Sequence, residues 1–131
     1  MLKSIVVKDY MTKNLITLSP DMEILQAART LVENRISGAP VVDEHGNLVG
    51  MVTEKDCLKV AFHASYHEEW GGRVSEFMSH QVKTIEADTS IADLTKLFLT
   101  DPHRGYPVVE DNRLVGQISR HDVLRALETL W

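Results

Sequence analysis

The chain has 131 residues, 44% of them hydrophobic and 25% charged, which is enough to bury one soluble core. Its net charge of −5, with Lys and Arg scattered among carboxylates, argues against a nucleic-acid or anionic-membrane surface. A single cysteine, Cys57, excludes an internal disulfide and reads as a small apolar helix residue in a reducing compartment, and no apolar run approaches the ~20 residues needed to span a bilayer. With no signal-peptide pattern at the start, the expected location is the cytoplasm.

In chain order, Ile5 to Thr12 reads as a short helical lead-in, and Leu15-Ile16-Thr17-Leu18 as a short buried strand. Ser19-Pro20-Asp21 then supplies an N-cap and a proline suited to a first helical turn. Ile24, Ala27, Ala28, Leu31 and Val32 recur at helical spacing and predict an apolar face opposite Glu23, Arg29 and Glu33. Gly38 and Pro40 end that helix, and Pro40-Val41-Val42 reads as a buried strand. Across the turn Asp43 to Asn47, Leu48 to Val52 pairs back as an antiparallel hairpin. A second helix is expected from Thr53 to about His67. Leu58, Phe62, Tyr66 and Trp70 follow at intervals of four and predict a buried stripe, against its own sheet or in a dimer. On the same helix His63 and His67, with Glu68 beside them, have the spacing of a metal pair, but no third ligand stands at a fixed distance and no metal is expected.

Everything then recurs. Sliding the chain by 67 residues sets Val7 on Val74, Met11 on Met78, Ile24 on Ile91 and Gly38 on Gly105; after the turn containing His45 and Gly46 the offset is 66. The second helix face is Ile91, Leu94, Phe98 and Leu99, and Asp111-Asn112 fits a two-residue hairpin turn. The diglycine Gly71-Gly72 divides the chain into copy one, residues 1–70, and copy two, residues 71–131. Each copy reads strand, helix, strand, strand, helix. Three strands with one face to cover bury themselves poorly, so the expectation is an α/β (α+β) fold of two pseudosymmetric repeats, sheets packed together and helices outside.

Three blocks carry a family resemblance: the lead-in Val7-Lys8-Asp9-Tyr10-Met11-Thr12, the block Arg35-Ile36-Ser37-Gly38-Ala39-Pro40-Val41-Val42-Asp43, and the closing Gly50-Met51-Val52-Thr53-Glu54-Lys55-Asp56. They return in order as Val74 to Ser79, Arg104 to Glu110 and Gly116 to Asp122. This pattern resembles the CBS domain, which occurs in tandem pairs called Bateman modules. The resemblance implies a regulatory module that senses AMP, ADP, ATP or S-adenosylmethionine in clefts between the repeats and dimerises through its helices. The implied partners are such a ligand, a second copy and a separate regulated protein, with no nucleic acid, membrane or metal.

The chemistry of the closing blocks fits. A carboxylate can accept from two neighbouring hydroxyls, so Asp56 and Asp122 suit a ribose, and Thr53 and Ser119 open helices whose free N–H groups favour a phosphate. The same atoms suit a helix capping box, and both readings stay open. For the base, the resemblance points to Ile16 and Ile36 in copy one and to Lys83 and His103 in copy two, where they become phosphate ligands, with Arg35 and Arg104 near the same edges. Arg35 stands five residues before its proline and Arg104 only three, so their roles need not match. No nucleophile elbow, glycine-rich phosphate loop or paired carboxylates appear, and no catalytic residue is expected. The alternatives are a ligand-free dimerisation or docking scaffold and a metal-dependent enzyme built on the histidine-bearing helix.

Overall fold

A computed structural model of the chain describes residues 2–67 and 71–130. The elements follow the local signals closely. α1 (Ile24–Asn34) buries Ile24, Ala27 and Leu31 but leaves Val32 exposed, a narrower face than the sequence predicts. It starts later than Ser19, whose hydroxyl accepts the Asp21 N–H at 3.3 Å within a preceding turn. The N-cap position falls instead on Glu23, held extended by a bridge to Arg73, while Ile24 N–H bonds Gly72 O at 2.9 Å. The helix closes on Arg35 in the left-handed region, φ 53°. Its counterpart α4 (Ile91–Thr100), capped by Ser90, ends one residue sooner because Pro102 keeps Asp101 extended.

Two small sheets form. β1 (Gly38–Val42) and β2 (Leu48–Thr53) are antiparallel, as are β4 (Gly105–Glu110) and β5 (Arg113–Ser119). The tight turn at Asp111 and Asn112 has φ 51° and 67°, the doubly positive geometry that Asp and Asn tolerate. β3 (Ile85–Glu86) adds parallel to β4, but its copy-one equivalent shrinks to a single bridge from Leu18 to Val41. The predicted strand at 15–18 therefore pairs only at its end: Leu18 is buried, and Ile16 and Thr17 lie exposed before it.

In α2 (Glu54–His67) the predicted stripe does not cover its own sheet. Asp56, Val60 and Ala64 face inward, whereas Leu58, Phe62 and Tyr66 are 69%, 67% and 72% exposed. In α5 (Arg120–Glu128) Val123 and Ala126 are buried and Leu124 is exposed. Glu68, Trp70 and Trp131 lie outside the described residues, as does the side chain of His67.

The chain forms two compact units, residues 16–82 and residues 1–15 with 83–131. Each lead-in completes the core of the other repeat. Val7, in a 3-10 turn (Val7–Asp9), is buried with Ile85, Tyr106 and Ile118, and Val74 of α3 (Val74–Phe77) is buried with Leu18, Ile24 and Val52. Backbone bonds fix both: Thr12 exchanges N–H···O bonds with Gln117, and Ser79 with Met51, at 2.8–3.0 Å.

Candidate functional site

In the unit of residues 16–82, Thr53 ends β2 opposite Gly38 and immediately precedes α2. Its N–H and hydroxyl donate to Asp56 Oδ2 at 2.9 and 3.1 Å, and Asp56 N–H returns a bond to Thr53 Oγ1 at 3.4 Å. In the other unit Ser119 stands opposite Gly105, and the same three bonds to Asp122 measure 3.0, 3.0 and 3.2 Å. Both carboxylates are buried. The capping arrangement read from sequence is thus formed twice, with one oxygen of each carboxylate taken up in it.

The second oxygens differ. Asp122 Oδ1 accepts from Arg125 Nη1 at 3.1 Å, whereas Asp56 Oδ1 faces Lys59 Nζ in an ion pair at 3.7 Å. An ionised carboxylate has about four lone-pair sites, so each retains acceptor capacity, and Asp56 retains more.

The segments before β1 and β4 are tied to these helix starts. Glu54 N–H donates to Ser37 O at 2.9 Å and Arg120 N–H to Arg104 O at 3.1 Å. Arg104 is therefore the counterpart of Ser37, not of Arg35, which caps α1 two residues earlier; both arginine side chains are exposed. Ile36 packs on its unit's core, whereas Ile16 lies exposed in the segment before Leu18.

Copy two differs most at Lys83 and His103. Both are brought together by Asp101, a residue that carries no site role in the sequence pattern: Lys83 Nζ meets Oδ2, and His103 Nδ1 meets Oδ1. His103 N–H also donates to Oδ1 at 3.1 Å, and Arg120 Nη2 to the Asp101 carbonyl at 3.4 Å. The His103 and then the Lys83 hydrogen bond hold the Asp101 carboxyl well below the usual carboxylate range, and Asp101 in turn raises the Lys83 pKa. Behind them Tyr106 is fully buried, its hydroxyl without a hydrogen-bond partner among the described residues. Burial, followed by the Asp101 charge, pushes its phenol pKa up. Its ring lies 5.4 Å from that of His103 and 5.1 Å from that of Phe98, over which the Arg120 guanidinium sits at 5.9 Å. The signal for Asp101 was present in Asp101-Pro102-His103: a carboxylate at a helix end, two residues before a ring able to reach back to it.

Among the described residues no group of three or more His, Cys, Asp or Glu could hold a metal, and no helix is long and apolar enough to cross a membrane. The family model described as CBS domain matches residues 7–63 and 74–129. The fold is shared, at a TM-score of 0.81 and 29% identity over 97% of this chain and 98% of the other, with CBSX2, a CBS-pair protein of Arabidopsis thaliana solved in complex with AMP. The CBS domain pair of protein MJ0100, in complex with 5′-methylthioadenosine and S-adenosyl-L-methionine, aligns at a TM-score of 0.71 and 31% identity over 96% and 98% of the two chains. The CBS domain-containing protein YhcV of Bacillus subtilis is 33% identical over 89% of this chain and 81% of its own length. The chain spans 69% of a relative from Acidianus ambivalens but 44% and 34% of two from Methanocaldococcus jannaschii. With both repeats matched, together with the twice-built helix starts, the chain belongs to the CBS-domain family as a tandem pair.

Proposed function

We propose that the chain is a regulatory module, not an enzyme, that binds an adenosine-containing ligand at the starts of α2 and α5 and controls a separate protein. The observation that carries this reading is the repeated Thr53–Asp56 and Ser119–Asp122 arrangement, where a buried carboxylate with spare acceptor capacity lies at the positive end of a helix. Asp56 or Asp122 would accept the ribose hydroxyls. Ile36 and Ile16 offer the base an apolar seat in one unit; Lys83 and His103 offer a phosphate two nitrogen-bearing side chains in the other. The AMP bound to CBSX2 and the two adenosyl compounds bound to the MJ0100 pair support this ligand class, with AMP, ADP, ATP and S-adenosylmethionine as the members to test. Exposed Leu58, Phe62 and Leu124 support a homodimer through α2 and α5.

The test is calorimetry of the wild type and of the Asp56→Asn, Asp122→Asn double variant against each ligand, with thermal midpoints recorded. An Asn in either place can still accept the Thr53 or Ser119 N–H through its side-chain oxygen, so stability should change less than binding, while loss of a charge-assisted bond of ~1.5–3 kcal/mol should weaken binding roughly ten- to a hundredfold. If no ligand gives heat or stabilisation with the wild type, the scaffold reading takes its place. Equal binding by the variant would leave the two aspartates as caps only.

A further inference from the structure

Methionine sulfur fills the same place in both units. Gly116, inside β5, presents a bare Cα to Met11 of the lead-in: a Cβ there would lie 2.6 Å from Met11 Sδ, 2.9 Å from Met11 Cγ and 2.9 Å from Thr12 O. Gly50, inside β2, takes Met78 in the same way, at 2.5, 2.9 and 2.9 Å from Met78 Sδ, Met78 Cγ and Ser79 O. Each thioether therefore rests against backbone, in a slot that suits an unbranched apolar chain. Beside each slot run the backbone bonds that hold the lead-in to its strand, Thr12 with Gln117 and Ser79 with Met51.

An oxygen added to that sulfur finds no donor in the backbone around it. A sulfoxide oxygen only accepts, and the nearest polar atoms, Thr12 O and Ser79 O, accept as well. The N–H groups nearby are engaged: those of Thr12 and Gln117 on each other's carbonyls, those of Ser79 and Met51 likewise, Met11 N–H on Val7 O at 3.0 Å and Met78 N–H on Val74 O at 2.9 Å. The oxidised side chain must leave its glycine to reach water, and the lead-in loses that packing. Both methionines are half-buried, so a small oxidant reaches them while the fold is intact. Cys57, the single thiol, competes poorly, because burial and then the charges of Asp56 and Glu54 push its pKa up and keep thiolate scarce.

We propose that Met11 and Met78 are paired sites of reversible oxidation, at which hydrogen peroxide converts the packed thioether to a sulfoxide and frees each lead-in from its strand. The sulfur loses two electrons and takes one oxygen; the peroxide O–O bond breaks, and its second oxygen leaves as water. Methionine sulfoxide reductases, one for each sulfoxide epimer, return the thioether at the expense of a dithiol, which becomes a disulfide. The latch needs no ligand, so it stands or falls apart from the adenosyl reading.

The test treats the folded wild type with hydrogen peroxide and maps its peptides by mass. Met11 and Met78 should each gain one oxygen. With that gain the Tm should fall by about 5 °C, and amide hydrogen exchange at Thr12, Gln117, Met51 and Ser79 should quicken about tenfold. Both changes should reverse on treatment with the two reductases and dithiothreitol. Met11→Leu with Met78→Leu, a volume-conserving pair, should show neither change, whereas Met22→Leu with Met51→Leu should respond as the wild type does. If the first pair does not fold, a chain carrying norleucine, which has the same length and no sulfur, in place of methionine serves instead. Sulfoxide at both positions with Tm and exchange unchanged overturns the proposal. So does a shift that persists in the Met11→Leu, Met78→Leu chain, or a folded chain in which peroxide leaves Met11 and Met78 untouched.

Discussion

Gly50→Ala tests why a glycine opens the closing block. A Cβ at Gly50 would lie 2.5 Å from Met78 Sδ, 2.9 Å from Met78 Cγ and 2.9 Å from Ser79 O. The methionine can bend away; the carbonyl cannot, since Ser79 exchanges two backbone hydrogen bonds with Met51 at 2.9 and 3.0 Å. Overpacking costs about 1–3 kcal/mol, and weakening two such bonds adds about 1 kcal/mol more, so the expected loss is about 2–4 kcal/mol, or roughly 6–15 °C in Tm for a chain of this size. Urea and thermal unfolding read it directly. Adding Met78→Ala should restore only part of the loss, because the clash with Ser79 O remains. A Gly50→Ala midpoint within about 2 °C of wild type, well short of that range, would refute the packing argument, and with it the account of how the lead-in is held.

Tyr106→Phe should stabilise the protein by about 1 kcal/mol, because it removes a buried hydroxyl that has no hydrogen-bond partner among the described residues; a lower Tm would show that the hydroxyl is bonded, with Asp101 the neighbour to hold it. Its raised phenol pKa also means that the folded chain keeps this proton longer than the unfolded chain, so this contribution is present below about pH 10 and lost as pH rises toward the folded value. The phenylalanine variant should lack that alkaline slope. Sedimentation at micromolar concentration should give a species of twice 14.8 kDa that Leu58→Glu with Phe62→Glu converts to the single mass; the single mass in the wild type would remove the dimer.

Local signals carried most of the fold. The hairpins, the Asp111-Asn112 turn and the hydroxyl–carboxylate helix starts form where short-range chemistry demands them. Failures came where orientation depends on distant partners. An apolar row on α2 says that something must cover it, not what, and the inward side of that helix is marked instead by small Ala64 and by Asp56, a carboxylate whose burial rests on its own cap. Ile16 reads as strand from composition, yet the copy-one segment has backbone pairing only at Leu18. Asp101 was legible only by half: the Asp101-Pro102-His103 spacing offers the His103 contact, whereas its other partner, Lys83, lies 18 residues away, on the far side of α4 in sequence. The exchange of lead-ins could not be read at all: Val7 and Val74 are the same residue in near-identical settings, and nothing local says which core each one enters.

That exchange sets an order of assembly on a chain made from its N-terminus. Residues 16–82 are contiguous, so that unit has every part of its core, Val74 included, once synthesis has passed residue 82. Residues 1–15 have no such early partner. Val7 must wait for Tyr106 and Ile118, and Thr12 for Gln117, closing a loop that the finished unit already bridges. Residues 1–15 are therefore made before the unit of residues 16–82 and buried after it, and the core around Tyr106 and Ile118 is complete only when Val7 enters it.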